Sequence, residues 1–166
     1  MGNEIINRVE KAGLITLDVN SFIVPGNRTP LDILGWLDDG IIRESSFKKK
    51  LEAFDYEKKR GAFVAVFCSK DVIIPPWAYL LIQAQLHGVA KQVFFSDIET
   101  MNVLLFEKGL SDLNVEKYAN KRVFLKICSN PNTPLCAISL CVHRLMPHVK
   151  SLFYGEPCSN IPLIKN

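Results

Sequence analysis

From about residue 61 the chain carries four short runs of β-branched and aromatic residues: AFVAVF (62–67), QVFF (92–95), RVFLKI (122–127) and SLFY (151–154). They are largely apolar rather than alternating, which is the pattern of strands buried on both faces. Helical patterns lie between them, each with a start signal. Pro75-Pro76 precedes WAYLLIQAQL, Ser96 and Glu99 form a capping-box pattern before TMNVLLFEKGL, and Thr133-Pro134 precedes LCAISLCVHRL. The order β-α-β-α-β-α-β predicts an α/β fold with a four-stranded, mainly parallel sheet and helices on both faces, in three layers.

The first 60 residues are less regular. LITLDV (14–19) and TPLDI (29–33) read as strands around a Pro25-Gly26-Asn27 turn, and SSFKKKLEAFDYEKK (45–59) reads as an amphipathic helix. The expectation is one domain over residues 1–166, with 1–60 as a short β/α extension packed on a core of residues 61–166.

A length of 166 residues suits one domain, and 48% hydrophobic with 22% charged residues excludes a disordered or fibrous chain. The net charge of +3 is too small to imply a nucleic-acid partner. Lysines 48–50 and the basic run at 58–60 read as solvated faces. The opening MGNEIINRVEKAG lacks the basic and apolar regions of a secretory signal. The best apolar segment, VIIPPWAYLLI (72–82), is too short to span a bilayer and is broken by two prolines. A cytoplasmic protein without membrane insertion is expected. Neither GxGxxG nor GxxxxGK[ST] occurs, so no nucleotide cofactor is expected.

Five cysteines, an odd number, point to free thiols rather than a disulfide framework. The dipeptide Cys-Ser follows or closely trails predicted strands three times, at Cys68-Ser69, Cys128-Ser129 and Cys158-Ser159. Ligands of parallel sheets bind beyond the carboxyl ends of the strands. The near-equal spacing of Cys68, Asp97, Cys128 and Cys158 places all four at one sheet edge. Thiolates there suit zinc or an iron–sulfur cluster, or can carry sulfur as a persulfide. The expected metal ligands are Cys68, Cys128, Cys158 and Asp97; the candidate pocket lining is Ser69, Ser96, Ser129, Ser159, Glu156 and Trp77. Cys136 and Cys141 read as buried helix positions. His87 and His148 fall at the opposite edge, and His143 on the polar side of its helix, which disfavours a histidine site. Two other readings compete. One is a cysteine-dependent hydrolase or transferase with an anion-binding loop, using Cys68 or Cys128; the other is a non-catalytic interaction protein whose cysteines only pack.

FCSKDVIIPPWAYLL, VFFSDIE, LFYGEPCSNIPL and the opening EIINRVEKAGLITLD resemble the signature stretches of the bacterial family catalogued as domain of unknown function 2480. The resemblance runs the full length and brings no established activity with it. It implies a single-domain bacterial cytoplasmic protein. It also suggests an association with iron–sulfur assembly proteins as partners, which favours metal or sulfur handling.

Overall fold

The computed structural model describes residues 14–165; the opening MGNEIINRVEKAG, used above for localisation and resemblance, lies outside the described residues. The strands are β1 (Leu14–Asp18), β2 (Arg28–Asp32), β3 (Phe63–Phe67), β4 (Gln92–Phe94), β5 (Arg122–Lys126), β6 (Ser151–Glu156) and β7 (Ser159–Lys165). The helices are α1 (Glu44–Ala53), α2 (Pro76–Leu86), α3 (Ile98–Leu110) and α4 (Leu135–Leu145). The chain is α/β, and it contains a four-stranded, mainly parallel sheet. The strands expected in that one sheet nevertheless divide between two. One sheet runs β1-β5-β6-β7, with only β7 antiparallel; the other is the parallel three-stranded sheet β2-β3-β4.

The described residues form two compact units, one of Pro25–Met101 and one of residues 14–24 with 102–165. We call them the β2 unit and the β1 unit. Residues before 61 are thus not one extension: β1 pairs with β5, and β2 pairs with β3. Each unit has its own core. In the β1 unit Leu17, Val123, Leu125 and Leu152 of the sheet meet Phe106 and Leu110 of α3 and Ala137, Cys141 and Leu145 of α4. In the β2 unit Leu31, Val64 and Val66 meet Phe47 and Leu51 of α1 and Ala78, Ile82 and Leu86 of α2.

Those two lists correspond position by position, because the units are one design built twice. The segment beginning in α1 recurs 59 residues later. Phe47 and Leu51 become Phe106 and Leu110, and Ala78, Ile82 and Leu86 become Ala137, Cys141 and Leu145. Asp55 and Asn114 each cap a 3-10 turn, of Tyr56–Lys59 and Val115–Tyr118. Each turn leads to a residue of positive φ, Gly61 at 68° and Asn120 at 58°. Their N–H groups donate to Val89 and His148 at 2.8 and 2.9 Å, and Lys91 and Lys150 N–H donate to Ala62 and Lys121. Helices α2 and α4 both begin after a proline, Pro75 and Pro134, whose carbonyl accepts from Ala78 or Ala137 N–H. The first strands also match, since Leu31-Asp32 and Leu17-Asp18 end β2 and β1 and pair with equivalent residues of β3 and β5.

Local chemistry departs from the expected pattern in three places. The segment 45–59 is not one helix, because α1 stops at Ala53 and Asp55 starts a separate 3-10 turn by accepting from Glu57 N–H. Helix α3 is capped by Asp97, not Ser96: the Asp97 carboxylate accepts from Thr100 N–H at 2.7 Å. Strand β7 was not anticipated, because Pro162 interrupts its apolar run. It is an edge strand with a register shift opposite Leu152/Phe153, where proline is tolerated.

Candidate functional site

The residues after β3 cannot continue the sheet, since Lys70 and Asp71 are charged and Pro75-Pro76 set the start of α2. They leave a cleft of about 400 Å³ beyond the carboxyl end of β3, within the β2 unit. Cys68, Ser69, Lys70 and Ser96 line it, with Tyr79 and Phe95 as an aromatic wall. The two rings pack at 5.0 Å and 34°.

Asp32, at the end of β2, holds the loop in place. Its Oδ1 accepts from Leu34 N–H at 3.0 Å and from Ser69 N–H at 3.1 Å. Desolvation acts to raise the pKa of this carboxyl, but hydrogen bonds from the Ser69 hydroxyl and from those two N–H groups outweigh it and hold the group below its ordinary value. Asp32 therefore stays ionised and fixes the backbone beside Cys68. Burial, with a smaller contribution from a negative charge on Cys68, raises the Tyr79 phenol above its ordinary value. Tyr79 remains a neutral phenol next to the thiol. Sequence reasoning missed Asp32, Lys70 and Phe95. The Leu-Asp ending shared by β1 and β2 was the available signal.

The predicted site residues separate into groups. Cys68 is half-buried, packs partly on the core of its unit and faces the cleft with Ser69 and Ser96. Asp97 is committed to the α3 N-terminus; the hydrogen bonds of Thr100, backbone first, hold its carboxyl below the usual range. Cys128 and Cys158 belong to the other sheet. Cys128 is exposed in the loop after β5, where its carbonyl accepts from Asn20 Nδ2 at 3.0 Å. Thr133 Oγ1 donates to Asn20 Oδ1 at 2.6 Å and ties down the same loop. Cys158 is exposed in the two-residue turn between β6 and β7, followed by Ser159 at the start of β7. Ser129 is exposed beside Cys128.

Glu156 forms an ion pair with Lys126 at 2.8 Å, and its carboxylate holds that ammonium above its ordinary value. Trp77 stands outside the cleft, in a groove with Glu44, Lys48, Leu80 and Leu81. Cys141 is buried as expected, and burial pushes its thiol up to about 11. Cys136 is exposed, against expectation.

The three cysteines thus follow strands of two different sheets, not of one sheet as expected. Among the described residues, no group of three or more His, Cys, Asp or Glu side chains is placed to hold a metal ion. The repeat explains the misreading. The cysteines at 68 and 128 are 60 residues apart, whereas equivalent positions are 59 apart. Cys68 therefore corresponds to Ile127, and Ser69 to Cys128. Along an extended segment a one-residue shift turns a side chain to the other face. Among the described residues, no helix is long and apolar enough to cross a membrane.

Fold and site together define a duplicated α/β protein with a thiol-bearing cleft at the carboxyl edge of one of its sheets. The chain belongs to the family described as Protein of unknown function (DUF2480), whose profile matches residues 3–166. No curated protein and no solved structure matches it significantly.

Proposed function

We propose that the protein carries sulfur on a single thiol, Cys68, and passes it to iron–sulfur assembly proteins. The observation that carries this reading is the placement of Cys68. Cys68 is half-buried and lines a cleft at the carboxyl end of β3, where parallel sheets hold ligands, whereas Cys128 and Cys158 are exposed. Sulfur carriage needs one thiol, whereas the metal and cluster readings need several thiolates gathered at one place. In the loading step the Cys68 thiolate attacks the terminal sulfur of a donor persulfide. The new S–S bond forms as the donor's S–S bond breaks, the donor leaves as its thiolate, and Cys68 holds the persulfide. Lys70 supplies positive charge near the anionic group, and Tyr79 a neutral hydrogen-bond donor.

The test is incubation of the anaerobically purified chain with a low-molecular-weight persulfide, followed by peptide mass spectrometry. The expected result is a gain of one sulfur atom on the Cys68 peptide, labile to a reducing thiol and lost in Cys68→Ser. Loading spread equally over Cys68, Cys128, Cys136 and Cys158 would refute a dedicated site. Metal and acid-labile sulfide in the same preparation would instead restore the zinc or iron–sulfur reading.

A further inference from the structure

Helix α2 is apolar on more than the face its core requires. Ala78, Ile82 and Leu86 fill the core of the β2 unit. Trp77, Leu80, Leu81 and Ala84 continue at helical spacing along the neighbouring face. Leu80 is 59% exposed and Trp77 37%. With Glu44 and Lys48 of α1, these side chains line a groove of about 380 Å³.

The repeat supplies a control inside the molecule. The equivalent positions of α4 are Cys136, Ser139, Leu140 and His143, and α4 begins after the same proline and buries the same three core positions. The fold therefore does not require the residues at 77 and 80 to be large and apolar. Large apolar side chains gathered in one exposed groove mark an interaction surface. Trp77 is already fixed for such a role, since its ring meets the buried Phe47 ring edge-on at 5.7 Å and 89°. An immobilised tryptophan loses little entropy on contact and is the residue type most enriched at binding hot spots.

The rim selects the occupant. Lys48 and Glu44 lie one turn apart, their charges 2.6 Å apart, and both are more than half exposed. An apolar centre with one charge of each sign beside it complements itself about a two-fold axis. We infer that this groove is the contact surface of a homodimer. In it Trp77 and Leu80 of two copies pack together, and each Glu44 faces the partner subunit's Lys48. The inference is independent of the chemistry at Cys68.

Sedimentation equilibrium of the full chain tests it, with circular dichroism to verify that each variant is folded. The parent is expected to be a dimer at micromolar concentration, and Leu80→Asp is expected to raise the dissociation constant at least about thirtyfold. Glu44→Lys and Lys48→Glu alone each place like charges opposite one another and weaken the dimer. An equimolar mixture of the two restores every pair and re-forms it, which a folding defect in either variant does not explain. A parent that stays monomeric up to about 100 μM overturns the inference. So does a dimer indifferent to Leu80→Asp, or a mixture that fails to associate.

Discussion

At Gly109, on α3, a methyl group would collide with the carbonyl of Phe22 in the 3-10 turn Val19–Phe22. A backbone neighbour cannot swing away as a side chain would. Gly109→Ala is therefore expected to cost about 1–3 kcal/mol or more, read as a lower urea midpoint with an unchanged slope. Cys141 gives a second residue-scale test. Its thiol titrates at about 11 when folded against an ordinary 9.0, because burial disfavours the thiolate. Its contribution to stability is thus complete below pH 9 and lost as pH rises through 11, at most about 3 kcal/mol. Cys141→Ala, although less stable at neutral pH for want of packing, is expected to show a shallower decline across that window in pH-dependent unfolding. The burial of Cys141 was legible in the sequence from its alignment with apolar helix positions. That of Cys136 was misjudged, since its position belongs to the face that is covered in neither α4 nor α2.

Elements were the most legible scale. Helices α2 and α4 lie within a residue of the expected spans because each is bounded by a proline at its start and an apolar period of one helical turn. Of the charged stretches read as solvated, Lys48, Lys49, Lys58 and Arg60 are exposed, whereas Lys50 and Lys59 are half-buried, Lys59 donating to the Pro30 carbonyl at 2.9 Å. Lys48, Lys50, Lys58 and Arg60 pair with Glu44, Asp38, Asp55 and Glu57. What escaped were elements made by capping or pairing rather than by periodicity, namely the 3-10 turns and β7. The two turns yield a paired prediction. Gly61 and Asn120 occupy the same left-handed position before β3 and β5, and open space surrounds a Cβ at Gly61. Backbone conformation alone then decides the outcome. Gly61→Ala is expected to cost about 1 kcal/mol, Gly61→Asn less, and Asn120→Gly to be neutral or slightly stabilising, all by thermal or urea unfolding. A large loss in Asn120→Gly would mean that the asparagine side chain has a role of its own.

The whole molecule was the least legible scale, and the reason lies in how the repeat is written. What recurs is burial, capping and backbone conformation, while identities drift: Ile82 becomes Cys141, Gly61 becomes Asn120, and Phe67 becomes Lys126. The dipeptide that does recur, Cys-Ser, is displaced by one position from the structural repeat and suggested an equivalence that the two sheets do not have. The true correspondence can be used as a design rule. Ile127 shows that an isoleucine is accommodated at the strand end where the β2 unit has Cys68, since both pack partly on their cores. Cys68→Ile is therefore expected to keep the fold, with stability within about 1.5 kcal/mol of the parent, while losing all sulfur loading. Ser69 likewise shows that a serine suits the place of Cys128. Cys128→Ser is expected to leave both the unfolding midpoint and loading at Cys68 unchanged. Measuring loading and unfolding on the same two variants separates thiol chemistry from packing: a Cys68→Ile protein that unfolds while Cys128→Ser loses loading would reverse the assignment and return the functional thiol to the other sheet.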